Sequence, residues 1–266
     1  MSSSRITPIT SADNAQFKEL KKLAASARER RKTGRTLLDG VHLLMALADA
    51  GGQVELIILR VGSESAPQIT QCLARFPTVP AIVLPPKLFD ALSPVETPVG
   101  ILGLMAIPHS PEQSYRCAVL MEDIQDPGNL GGILRTAAAA GVNAVYLSTG
   151  CAEAWSPKAL RAGMGAQFVI AIHEHQALAH AAGRFDCIMA TTLHGGDSVF
   201  DLDLRGSVAF VFGNEGAGLS EELTRRATHL ARIPMPGRVE SLNVAAAAAV
   251  CLFERVRQLT HRRIAE

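Results

Sequence analysis

Asn129 and Arg135 in DPGNLGGILRTAAAAGV, Glu215 in GNEGAG, and Ser241 with Asn243 in IPMPGRVESLNV are the side chains whose types and spacing suit chemistry. A carboxamide at a Pro/Gly turn and a guanidinium on the helix that follows can grip a phosphate, to which the helix N-terminus adds about 0.3–1 kcal/mol. A second reading stands level with it: Asn129 only caps the helix and Arg135 pairs with Asp123 or Glu122. Glu215 lies among three glycines just after an apolar strand, where backbone approaches a ligand closely, though a solvated turn carboxylate is the simpler reading. Ser241 is placed to cap the last helix. The stretch Ile233-Pro234-Met235-Pro236-Gly237 before it is apolar and restricted, suited to wall a flat pocket with backbone groups.

Several other chemistries find no support. Gly213, Gly216 and Gly218 give GxxGxG, while Gly128, Gly131 and Gly132 give GxxGG; neither is the dinucleotide order, and no GxxxxGK[ST] occurs. Ser207, Ser220 and Ser241 lack the GxSxG elbow of a hydrolase. His173 and His175 flank Glu174 without a third ligand, a pattern that reads as polar residues facing solvent at a strand end, and no metal site is predicted. His194 follows a strand end and reads equally as site and as loop.

These side chains need strands and helices to place them. Val119–Val142 reads as a buried strand, a Pro/Gly turn and a helix with Arg135 in its second turn, so Asn129 and Arg135 both reach the strand's C-terminal edge if the helix starts near Leu130. Strands at 118–121, 144–147, 168–172, 187–191, 208–212 and 229–233 alternate with helical segments, the signature of a mostly parallel sheet covered on both faces. The final helix, about 242–260, carries Leu242, Ala246, Val250, Phe253, Val256 and Leu259 at helical spacing. Ahead of this lies a smaller α/β pattern: a helix from Asn14 to about Lys32, strands at 36–38, 54–59, 81–84 and 101–107, and helices up to Leu47, at 67–75 and at 87–92. The polar, proline-bearing stretch between the two patterns is a linker, which divides the chain into domains 1–107 and 116–266 joined by 108–115.

The 266 residues are 48% hydrophobic and 19% charged, as in a globular chain able to bury a core in each domain. A polar N-terminus and the absence of any long apolar run place the protein in the cytoplasm, off the membrane. Five scattered cysteines without a CxxC pair read as buried reduced thiols. Between Lys18 and Arg35 eight Lys or Arg face two Glu, a local +6 in a chain of net charge +1. This points to a polyanion-facing edge or to a solvated helix face.

The three stretches DPGNLGGILRTAAAAGV, VFGNEGAGLS and IPMPGRVESLNVAAAAAVCLFERVRQ together resemble, in order and spacing, the three motifs of the SpoU, or TrmH-like, RNA 2′-O-ribose methyltransferases of the SPOUT superfamily. The likeness covers roughly 115–260. LLDGVHLLMAL and SPVETPVGILGLM make the N-terminal part similar to that family's small ribosomal-protein-like substrate-binding domain. The pattern alone gives an ordinary doubly wound sheet, since chains are rarely knotted. The resemblance instead implies a trefoil knot in the C-terminal α/β domain, S-adenosylmethionine as methyl donor, and a homodimer whose site draws on both subunits.

By that resemblance Arg135 is the key catalytic residue, Asn129 and Ser241 orient it and the RNA, and Glu215 and Asn243 shape the site. Leu193, Gly213, Ile233, Met235 and Leu242 would line the cofactor pocket. Lys21, Lys22, Arg28, Arg30, Arg31, Lys32 and Arg35 would recruit the RNA through phosphates. The implied substrate is rRNA, with tRNA as the alternative, and a non-catalytic RNA-binding or ribosome-assembly factor on the same fold as the competing class. The chain departs from the family pattern at Ala245 and Gly163, where serines are frequent.

Overall fold

The computed structural model describes residues 6–93, 95–111 and 113–265. Met1–Arg5 of the polar N-terminus, Pro94 of SPVETPVGILGLM, Glu112 of the linker and Glu266 lie outside the described residues. Two compact units form, one of residues 1–109 with 155–168, the other of 110–154 with 169–266. Segment 155–168 thus follows the C-terminal pattern in sequence and joins the N-terminal unit in space.

The first unit runs β1 (Ile6–Pro8), α1 (Ala15–Ala25), α2 (Ala27–Thr33), β2 (Arg35–Asp39), α3 (Val41–Asp49), β3 (Leu56–Arg60), α4 (Pro67–Ala74), β4 (Ala81–Leu84), α5 (Pro86–Asp90) and β5 (Ile101–Ala106). Its sheet has the order β1-β4-β3-β5-β2, parallel at β1-β4-β3 and antiparallel at β3-β5-β2. Phe17, Leu20 and Leu23 of α1 pack with Leu37, Ile58, Leu84 and Phe89 in one core cluster. The single N-terminal helix expected from periodicity is two helices. Ser26 adopts an extended conformation (φ −125°), accepts a hydrogen bond from the Glu29 N–H and so caps α2 while ending α1. Strand β1 carries no sequence signal, being three exposed residues.

The second unit runs β6 (Cys117–Met121), α6 (Pro127–Ala139), β7 (Ala144–Leu147), then, beyond α7 (Pro157–Gly163) of the first unit, β8 (Ala171–His173), α8 (Leu178–Ala182), β9 (Cys187–Thr191), β10 (Asp197–Ser198), β11 (Val208–Phe212), α9 (Glu221–Arg226), β12 (His229–Arg232) and α10 (Val244–Ala265). Its seven strands are all parallel in the order β10-β12-β9-β11-β6-β7-β8. CAVLM of β6 and VAFVF of β11 are buried at every position, as strands covered on both faces must be. The two lie side by side mid-sheet and deliver the turns that follow them to one edge.

Three sequence expectations shift. The strand expected at 168–172 starts at Ala171, because 166–168 is a turn of 3-10 helix after Gly165, which stands at φ +92°. His173 is buried and stacked on Tyr146 with ring centroids 4.8 Å apart, so it belongs to the packed interior. Helix α10 buries Ala248, Cys251 and Leu252, whereas Leu242, Phe253 and Leu259 of the expected apolar stripe are exposed. No helix among the described residues is long and apolar enough to cross a membrane.

Candidate active site

Helix α6 begins at Pro127, with Asp126 as its cap: the Asp126 Oδ1 accepts from the Asn129 N–H at 2.8 Å. Proline at the first helical position costs no hydrogen bond there, which fixes the start three residues earlier than Leu130. Asn129 is therefore inside the first turn with its carboxamide free to act elsewhere. Its Nδ2 donates to Glu215 Oε1 (2.8 Å), and its Oδ1 accepts from Asn243 Nδ2 (2.9 Å). One residue from each of the three sequence motifs thus joins in a single hydrogen-bonded row.

The row stands beside a cavity of about 610 Å3. Leu193, Gly213, Ile233, Met235 and Leu242 line it, and so do Glu215, Ser241 and Asn243. Strand β12 ends at Arg232, one residue short of the expected strand, which releases Ile233 into the cavity wall. The cap of α10 is Asn243 rather than Ser241: Asn243 Oδ1 accepts from the Ala245 and Ala246 N–H groups, and its carbonyl accepts from Ala247. A carboxamide two residues closer to the helix captures those N–H groups first, and Ser241 is left exposed on the rim.

Arg135 is not in this constellation. It lies six residues beyond Asn129 on the same helix, about 240° around and 9 Å along the axis, so the two side chains leave α6 on different sides. Arg135 is exposed and makes no hydrogen bond or ion pair among the described residues. Its expected pairing with Glu122 or Asp123 does not form, because the Glu122 carboxylate accepts from the Ser220 N–H and that of Asp123 from Ser148.

The basic segment is also sorted by the structure. Arg30 is 5% exposed, and its Nη1 donates to the carbonyls of Leu23 (2.6 Å) and Ala24 (3.2 Å) at the end of α1, so it secures the α1–α2 corner and does not face a polyanion. Arg35 pairs with Glu55 at 2.9 Å. Lys21, Lys22, Arg28, Arg31 and Lys32 are exposed.

With this geometry in place, comparisons with known proteins decide the family. The model of the SpoU rRNA Methylase family matches residues 116–253 and that of the MRM3-like substrate binding domain matches 14–103. The chain belongs to the SpoU rRNA methylase family. An uncharacterized tRNA/rRNA methyltransferase of Synechocystis is 32% identical over 263 residues, covering 96% of this chain and 95% of the relative. A 23S rRNA (guanosine(2553)-2′-O)-methyltransferase of Bacillus subtilis is 32% identical over 252 residues, covering 92% and 97%. Among solved structures, an AdoMet-bound rRNA methyltransferase from Sinorhizobium meliloti superposes with a TM-score of 0.83 at 29% identity, covering 96% of this chain and 99% of that one.

Of the two positions where the resemblance leads to serine, one has a local cause. A Cβ added at Gly132 would stand an ordinary 3.5 Å from the Ala245 Cβ, which does not explain alanine at 245. A Cβ at Gly163 would meet the Gln167 carboxamide, whose Nε2 donates to the Ala159 carbonyl at 3.0 Å; glycine leaves room for that bond. Sequence reasoning missed Asn214 in this SpoU chain. Asn214 Oδ1 accepts from the Gly216 and Ala217 N–H groups, shaping the turn that carries Glu215. An Asx residue opening a glycine-rich turn was the available signal.

Proposed function

We propose that the chain transfers a methyl group from S-adenosylmethionine to a ribose 2′-hydroxyl of ribosomal RNA, as the names of its relatives describe for them. The row Asn243–Asn129–Glu215 on the rim of the cavity carries this reading. The fit to the cofactor is physical. At about 610 Å3 the cavity lies within the usual range for small-molecule sites, roughly 300–1,000 Å3. Its wall combines apolar side chains with the backbone of Gly213, Gly216 and Gly218, which suits a flat heteroaromatic ring held by main-chain groups. When bound, the cofactor supplies a methyl group activated by its sulfonium.

The chain's own residues have two tasks. Asn129, fixed on both sides by Glu215 and Asn243, orients the ribose at the cavity mouth, where geometry alone supplies much of the acceleration. Arg135 acts by gripping the phosphate next to the target ribose, and that phosphate or a neighbouring group takes the hydroxyl proton. Because Arg135 leaves α6 away from its own chain's cavity, it serves the cavity of a second copy in a homodimer. The exposed Leu242 (38%) and Phe253 (48%) on and beside α10 supply apolar surface for that pairing. Lys21, Lys22, Arg28, Arg31 and Lys32 recruit the RNA by its phosphates.

Ribose methylation mapped across total RNA from cells with and without the protein tests the proposal. Loss of a single 2′-O-methyl mark in rRNA is the expected result, and a mark lost from tRNA instead would redirect the substrate. An intact map, with no calorimetric binding of S-adenosylmethionine, would overturn the enzymatic reading.

A further inference from the structure

Asp123, the second residue beyond β6, stands at φ +55°, a left-handed conformation that residues other than glycine, asparagine and aspartate avoid. Ser148, just past β7, holds it there from both sides. The Ser148 Oγ accepts from the Asp123 N–H at 2.9 Å and donates to Asp123 Oδ1 at 2.6 Å. Gly150 closes the pocket beneath: a Cβ at that position would collide with the Asp123 carboxylate. Cys151 donates to the Met121 carbonyl at 3.1 Å and draws the same loop against the end of β6.

The consequence of the left-handed turn is the direction of one carbonyl. The Asp123 oxygen accepts from Asn214 Nδ2 at 2.9 Å. Asn214 in turn organises the loop 213–219, since its Oδ1 holds the Gly216 and Ala217 N–H groups and its backbone exchanges two 3.0 Å bonds with Gly218. All seven residues of this loop line the cavity, whereas Asp123 and Ser148 do not. Strand β6 has its own parallel pairing to β11 and β7, so the Asp123–Asn214 bond is not needed to hold the sheet.

We propose that Ser148 and Asp123 are positioning residues for methyl transfer: they set the loop 213–219, with Glu215 at its tip, in its cofactor-binding shape before the cofactor arrives. Resting on the methyltransferase reading, this extends it to two residues outside the cavity. A binding loop held in advance loses less freedom on association, and that difference shows in affinity for S-adenosylmethionine more than in turnover.

The test compares Asp123→Val, which a β-branched side chain bars from the left-handed region, with Asp123→Asn, which tolerates it and keeps an acceptor for Ser148. Asn214→Asp is the near-isosteric change at the other end of the bond. Calorimetry with S-adenosylmethionine should show the affinity of Asp123→Val and Asn214→Asp each reduced about tenfold, the worth of roughly one hydrogen bond. Asp123→Asn should stay within about twofold of the parent, and kcat of both Asp123 variants at saturating cofactor within about threefold. The Asp123→Val/Asn214→Asp double variant should be no worse than the weaker single, because both remove the same bond. Unchanged affinity in Asp123→Val and Asn214→Asp, equal losses in Asp123→Val and Asp123→Asn, or fully additive losses would each overturn the proposal. Should Asp123→Val fail to fold, Ser148→Ala, which removes both bonds to Asp123 from outside the cavity, decides in its place: a several-fold loss of affinity supports the proposal and unchanged affinity overturns it. Absence of binding by the parent protein would instead sink the methyltransferase reading itself.

Discussion

Helix α6 joins two regions of opposite construction. At its N-terminal end Asn129 is bonded on both sides and sits beside a cavity walled by the same chain. Further along, Arg135 makes no hydrogen bond or ion pair among the described residues and Phe253 of α10 stands exposed, although their chemistry is at least as pronounced. A region whose polar groups already satisfy one another is organised before any ligand comes, while a region of unbonded charge and uncovered apolar surface acquires its function from another molecule. Under the proposed function the first region binds the cofactor, and the second is where RNA and a second copy would act.

The sharpest way to break that contrast is Arg135→Ala. Removing the cation that grips the phosphate should lower kcat by at least about a hundredfold, with cofactor affinity measured by calorimetry unchanged. Loss of cofactor affinity in this variant would erase the distinction between the regions. Next in size is Asn243→Ser, which keeps an N-cap for α10 but loses the bond to Asn129. Its turnover should drop about tenfold while its melting temperature stays close to the parent's; a large fall in melting temperature would make Asn243 a structural residue only.

In the basic segment, Arg30→Ala should cost about 1.5–3 kcal/mol in denaturant unfolding, since it abandons the carbonyls of Leu23 and Ala24, without altering the salt dependence of RNA binding. Arg31→Glu with Lys32→Glu should reverse the outcome, flattening the salt slope by about one unit per lost phosphate contact at unchanged stability. The smallest effect concerns the thiols. Burial pushes Cys251 up to about 12 and Cys72 and Cys117 up to about 11 from 9.0, so the folded state resists their ionisation. Stability from this source is full below pH 9 and is lost as pH climbs through 9 toward 11–12. Replacing the three by alanine should flatten that limb of the unfolding free energy measured against pH.

Much of the second unit was legible because its strands are short apolar runs between turn signals. Those at 144–147, 187–191 and 208–212 fall where the pattern places them. Errors gathered where a local bond competes with periodicity. Ser26 splits the first helix by capping the second, Asp126 and Pro127 start α6 early, and Asn243 takes the cap expected of Ser241. Strand β1 escaped notice because three exposed residues have no periodicity to detect.

By itself the sequence determined which residues could meet: the three glycine- and proline-bearing turns, their order, and Asn129, Glu215 and Asn243 within them. Side-chain chemistry and spacing are local properties, and they survive in one dimension. Only the tertiary structure decided that these three share one row, that Arg135 leaves the helix elsewhere, that Arg30 closes a corner of its own unit, and that Asp123 aims its carbonyl at Asn214. Each of these depends on the direction in which a group points, and direction is set by helix phase, backbone handedness and neighbours distant in sequence.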